Sequence, residues 1–212
     1  MYDGLVAATD SRERVLQALM AIIGEQGLEQ ATIREVAAAA GVSIGTVQYY
    51  CRSKDEMLQT AFEHVAERIL ERATGLEKAG PVGAVLRRGL LEVLPLDERR
   101  AVEGRVYLAF VARAAVAPKL AAVQHRLTRE MRTRCEEALR LAAERGQARA
   151  GLDVEAAAAA IVVTVDGLIL HMLTDPDAMP ADRAVSIVDE HLRRYLELPD
   201  APAPASEDLE RR

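Results

Sequence analysis

Apolar residues along most of this chain recur every three or four positions, the spacing that gathers them on one side of an α-helix. From Arg12 to about Gln26 the stripe is Val15, Leu16, Leu19, Met20 and Ile23, and Gly27 supplies a stop. Residues 1–10 carry no such pattern and read as a flexible arm. Thr32 followed by Glu35 forms a capping box for a second helix ending at Gly41, and Ser43 caps a third running to about Tyr50. Ser53 with Glu56 repeats the box and opens a fourth helix that reaches about Ala73. Beyond a break from Gly75 to Gly80, Pro81 suits the first turn of a helix that ends near Pro95. Longer helices are predicted from Asp97 to Ala117, Pro118 to Arg145, Asp153 to Thr174 and Ala181 to Leu198, with a turn at Asp175, Pro176 and Asp177. The pattern predicts an all-α fold of about nine helices, with neither strands nor an internal repeat. The Ala-Pro alternation and terminal charges of residues 199–212 read as a disordered tail.

Composition sharpens this. Half of the 212 residues are hydrophobic but only 3% are aromatic and none is Trp, so the core must be built from Ala, Leu, Val and Ile. The pattern divides the chain into a segment of short helices over 11–56 and one of longer helices over 57–198. Only Cys51 and Cys135 are cysteines, and no charged start followed by an apolar run marks a signal peptide, which fits a reducing cytoplasm. The most apolar stretch, Ala156 to Val165 and Gly167 to Leu173, is interrupted by Asp166 and contains His171. It falls short of the ~20 residues of a membrane span, so a buried helix and no membrane partner are expected. The formal charge of −6 weighs at first against nucleic acid, yet residues 32–54 hold three basic residues and one acidic. The local excess is small and implies modest non-specific affinity for DNA.

The chemistry concentrates between Thr32 and Lys54, in TIREVAAAAGVSIGTVQYYCRSK. A helix-turn-helix needs a small residue where its helices cross, a turn residue that tolerates positive φ, and apolar positions that hold the second helix steeply. Ala37 and Gly41 meet the first two needs; Val36, Ala40, Val42, Val47 and Tyr50 are spaced to face inward. That leaves Ser43, Ile44, Gly45, Thr46, Gln48 and Tyr49 outward, on the surface that a recognition helix presents to the major groove. Gln48 can bond adenine N6 and N7, Thr46 a phosphate or a thymine methyl, and Gly45 permits close backbone approach. Tyr49, Tyr50, Ser43 and Thr32 are placed as phosphate donors, and Lys54 adds charge at a helix N-terminus. Tyr50 serves equally as a core residue, and Arg34 equally as partner to a nearby acid.

The run GVSIGTVQYYCRSKDEML, Gly41 to Leu58, resembles the DNA-binding domain of the TetR family of repressors. Its Val-Gln-Tyr-Tyr form, with YLAFVARAAVAP at Tyr107 to Pro118, is similar to the BetI-like branch. The resemblance is specific over residues 10–58; over 80–198 it is one of helix lengths and order. It implies nine helices, a homodimer joined by its last two, and a ligand cavity in the C-terminal domain. Position by position, it implies DNA contacts at Thr32, Arg34, Ser43, Thr46, Gln48, Tyr49, Tyr50 and Lys54. It also implies repression of an operator that a small molecule relieves. Cys51 departs from the family, which usually has Phe there, so the packing beneath it should be less filled.

Elsewhere the residues leave more than one reading open. Tyr107, Phe110, Arg113, Met131, Asp166 and His171 are candidates for an effector site, with Arg105 and Met172 beside them. Asp166 and His171 need partners on so apolar a helix, whether ligand, neighbouring helix or dimer seam. Ile161, Val165, Leu168, Ile169 and Met172 form one stripe, and Val185, Val188, Leu192, Tyr195 and Leu196 another; together they are expected to form the dimer seam. Cys51 reads as a small buried hydrophobe rather than a redox sensor, and His64 and His125 as solvated surface. A helical enzyme or adaptor without sequence-specific DNA binding is the rival reading. No Ser/His/Asp set, metal-spaced cluster or phosphate loop supports it, and neither cofactor nor metal is expected.

Overall fold

A computed structural model describes residues 2–76 and 79–197, with side chains from residue 10 onward. Among these residues nine α-helices follow one another: α1 Tyr2–Ala21, α2 Ile33–Ala40, α3 Ile44–Tyr50, α4 Lys54–Gly75, α5 Val82–Leu91, α6 Glu98–Ala114, α7 Pro118–Glu144, α8 Val154–Thr174 and α9 Ala181–Arg193. The first helix begins at Tyr2, ahead of the Arg12 start that the periodicity predicts. Its end, Ile22–Gln26, widens into a π-turn before Gly27 at φ 89°. The tail over 199–212 lies outside the described residues.

Short helices need their ends satisfied, and here local chemistry does so. Thr32 accepts a hydrogen bond from the Glu35 backbone at 3.2 Å, Ser43 from Thr46 at 3.1 Å and Ser53 from Glu56 at 3.2 Å. Gly41, at φ 61°, ends α2, its N–H reaching the Ala38 carbonyl while that of Val42 reaches Ala37. The Arg14 guanidinium of α1 donates to the Gly41 carbonyl at 2.6 Å and pins this turn. Each such cap stabilises by about 1 kcal/mol.

Two cores result. One gathers Leu19 of α1, Val36 of α2, Val47 of α3, Cys51 and Leu58 with Val106 and Phe110 of α6 and Leu120 of α7. The N-terminal head therefore does not close on itself at residue 56 but shares its core with α6. The junction is tight: a Cβ on Gly24 would come within 2.6 Å of the Val102 Cγ1 and 3.0 Å of its carbonyl. The other core joins α5, the second half of α7, α8 and α9 around Leu94, Leu139, Ile161 and Leu192. A single antiparallel bridge, Ala148 to Leu196, ties the loop after α7 to the end of α9.

α8 spans 21 residues and is long and apolar enough to cross a membrane by length and composition, which the interrupted run in the sequence does not suggest. Ala157, Ala158, Ile161, Val162, Val165, Leu168, Ile169 and Met172 nevertheless pack into the protomer's interior.

Candidate nucleic-acid interface and effector cavity

With Val47 fully buried beneath it, α3 turns Ile44, Gly45, Gln48 and Tyr49 to solvent; Ile44 is 49% and Tyr49 79% exposed. Both leave large apolar or aromatic surface in water on a helix of seven residues. The Ser43 and Thr46 hydroxyls lie 2.8 Å apart at its N-terminus. Thr32 and Arg34 are exposed on the first turn of α2. Tyr50 is half-buried against the core and meets Tyr49 edge-on, ring centroids 5.1 Å apart, so its ring packs rather than projecting freely. Lys54 is not free for phosphate in this state: its ammonium bonds the Glu29 carboxylate and carbonyl, each at 2.8 Å. That contact holds the Glu29 carboxyl below its ordinary range. Cys51 is fully buried, and burial, then the Glu56 charge, push its thiol up to about 11. Such a thiol is not a thiolate at neutral pH.

A cavity of about 620 Å³ opens between α4, α5, α6, α7 and α8. Of the sequence candidates, Tyr107, Met131 and Asp166 line it. The Tyr107 hydroxyl, a neutral donor, bonds the Asp166 carboxylate at 2.8 Å. Burial pushes the Asp166 carboxyl up, against the opposing effect of that bond, and burial likewise raises the Tyr107 phenol. Phe110 sits behind the wall, fully buried and stacked on Phe62 at 4.0 Å. Arg113 lies elsewhere: it forms a two-bond pair with Asp55 at the start of α4, at 2.8 and 3.2 Å. Arg105 pairs with Glu98. His171 is exposed and faces away from the cavity lining, because α8 places it roughly opposite Ile169.

Residues that sequence reasoning missed complete the wall. Phe62, on α4, lines the cavity and belongs to the core of the head, so it touches both. One signal was available: it is one of only two Phe residues, on the stripe Phe62, Val65, Ile69. Glu103, 3% exposed, is gripped by Arg72 through bonds of 3.0 and 2.7 Å, and Arg72 also bonds Glu92 at 3.0 Å. His64 is buried at 9% exposure, not solvated, with its Nε2 unpartnered.

The predicted seam faces inward. Ile161, Val165, Leu168, Ile169, Met172, Val188, Leu192 and Leu196 are all buried within one protomer, and Val185 and Tyr195 are half-buried. α8 is apolar on nearly every side, so a stripe alone does not tell its interior face from its exterior one. The side left outward carries Val163, 69% exposed, and Leu170, 44% exposed, with Gly167 between.

Two family models match this architecture in order. Residues 15–61 match "Bacterial regulatory proteins, tetR family", and residues 83–197, more than half the chain, match "BetI-type transcriptional repressor, C-terminal". The chain belongs to the TetR family of transcriptional regulators. It is a ligand-responsive DNA-binding regulator and not an enzyme, and TetR-family regulators bind operator DNA and small-molecule effectors. It is 28% identical over 184 residues to the HTH-type transcriptional regulator PksA of Bacillus subtilis, covering 85% of this chain and 87% of PksA. A crystal structure of a transcriptional regulator from Rhodococcus sp. Rha1 is similar at TM-score 0.76 and 34% identity, over 89% of this chain and 99% of that one. The SmeT–triclosan complex is similar at TM-score 0.75 and 26% identity, over 93% and 99%; SmeT is the repressor of a Stenotrophomonas maltophilia multidrug efflux pump. In this TetR-family chain the first matched segment holds the exposed face of α3, and the second holds most of the cavity wall.

Proposed function

We propose that this chain is a cytoplasmic repressor that binds a pseudo-palindromic operator as a homodimer and releases it when a small molecule fills the cavity between α4 and α8. The observation that carries the reading is the exposed set Ile44, Gly45, Gln48 and Tyr49, with half-buried Thr46 beside them, on a capped helix seated on fully buried Val47. Gln48 and Thr46 read base edges; Thr32, Arg34, Ser43, Tyr49 and Tyr50 grip phosphates, and Lys54 joins them by exchanging Glu29 for the backbone. The dimer forms through the outward side of α8 at Val163 and Leu170, with α9 beside it, and sets two heads ~34–36 Å apart to meet successive major grooves.

Release follows from where α4 is held. Arg113 of α6 grips its first turn at Asp55, Arg126 of α7 grips Glu63 at 3.2 Å, and Glu103 of α6 grips Arg72 near its end. A ligand wedged against Phe62, Glu103 and Tyr107 favours a different setting of α4 and α6, and hence of the heads. It shifts the equilibrium only by its differential affinity, here ~1–3 kcal/mol. Gel shifts with the DNA flanking the chain's own gene test the reading. A sequence-selective complex that weakens as salt rises is expected, and Val163→Glu should give a monomer with at least about tenfold weaker binding. Equal affinity for a scrambled duplex, or a tight complex from the monomer, would overturn it.

A further inference from the structure

The polar chemistry of the cavity has a sign. Its lining contains the carboxylates of Glu63, Glu67, Glu103, Glu130 and Asp166 but only two bases, Arg126 and Arg134. Glu63 is paired with Arg126, and Glu103 is neutralised by Arg72 from outside the lining. Asp166 is different. Its bond is to the neutral hydroxyl of Tyr107, and among the described residues no basic side chain lies within 4.0 Å of it.

A half-buried carboxylate given one neutral donor is under-compensated, and among the described residues no basic side chain is close enough to correct this. A ligand can. A cation set against Asp166 restores the missing partner, an anion adds repulsion, and a neutral molecule leaves the charge as poorly solvated as before. Tyr107 and Phe62, with ring centroids 5.8 Å apart, line the same cavity, and aromatic rings there also favour a cation. Most of the remaining wall is apolar, including Ile69, Leu90, Val93 and Met131, and about 620 Å³ is far more than a small ammonium ion fills. Space of this size with such a wall rewards a ligand that carries its charge on a large hydrophobic body.

We infer that the effector of this regulator is a bulky lipophilic cation whose charged centre lies against Asp166 and Tyr107. This rests on the cavity being the effector site, as proposed above.

Two ions of nearly identical shape and opposite charge test it: tetraphenylphosphonium and tetraphenylborate. Equilibrium dialysis of the full chain in sodium buffer, without DNA, reads the cavity independently of any operator, so failure here is distinct from failure to bind DNA. The phosphonium should bind about tenfold or more tighter than the borate. Asp166→Asn should cut that preference to less than about threefold by weakening the phosphonium. Gly89 lines the cavity, and a side chain added to it meets open space, so Gly89→Trp should plug the site and abolish phosphonium binding. Should that variant fail to fold, the methyl resonance of Met131 locates the ion in the wild-type chain by shifting on phosphonium addition. Equal or tighter borate binding, no binding of either ion, a preference that survives Asp166→Asn, or a Met131 resonance that ignores the ion would each overturn the inference.

Discussion

The two ends of α4 put their chemistry on opposite sides of the protein. Before its first turn, the head keeps its working residues outside: Gln48 and Tyr49 face water while Val47 and Cys51 seal the interior. Around its second half, the working residues are inside, where Tyr107 and Asp166 bond each other across a cavity walled by five helices. An exterior site demands only that a rigid helix be presented correctly, so its requirements are local caps and turns. An interior site demands that packing be incomplete and a charge be buried, so its requirements are distributed over helices far apart in the chain. The head should therefore fail through its turns, whereas the cavity should gain stability when its function is removed.

The largest expected effect is at Gly41. A side chain there meets a left-handed backbone at φ 61° and the Arg14 Nη2 at 2.6 Å. Gly41→Ala should cost about 1–2 kcal/mol from the backbone alone, more once Arg14 is displaced, and should abolish operator binding at temperatures where the C-terminal helices persist. Denaturant unfolding followed by circular dichroism reads it; an unchanged midpoint would show that the turn is not set as described.

A smaller effect of opposite sign is expected at Asp166. Its folded pKa is raised by burial, so its contribution favours the fold while the carboxyl is protonated and is lost as pH rises through the folded value. At neutral pH Asp166→Asn should therefore raise the melting temperature, retaining an acceptor for Tyr107. The gain should fade as pH falls below about 4, where the unfolded carboxyl is also neutral. A lower melting temperature at neutral pH would mean that Asp166 is held by charge rather than strained by its loss of water.

The same contrast explains what could be read from the chain. Gly41, Ser43 and Ser53 fix α2, α3 and α4 through contacts three or four residues long, so which side of α3 faces outward is legible from spacing. Lys54 was not: its engagement by Glu29 depends on a loop 25 residues earlier. In the C-terminal half the helix limits were legible from caps and glycines, and Tyr107, Met131 and Asp166 stood out by residue type. Phe110 and Phe62 share one stack, but only Phe62 touches the cavity, a distinction set by how α4 crosses α6. The stripes expected to form the seam have helical periodicity, but α8 buries Ile161 and Leu168 in its own protomer and leaves Val163 and Leu170 outward. Arg72 with Glu103, and the buried His64, lie on helices whose charge suggests surface, and no local pattern separates a charge that finds a distant partner from one that finds water.

We propose that the outward side of α3 reads bases. Fluorescence anisotropy of Gln48→Ala on the selected operator and on a scrambled duplex tests it most directly, because this exposed side chain can be removed without disturbing the core. The ratio of the two affinities should fall by ~1–3 kcal/mol, with the scrambled-duplex affinity and the melting temperature unchanged. A ratio equal to that of the wild type would contradict the account.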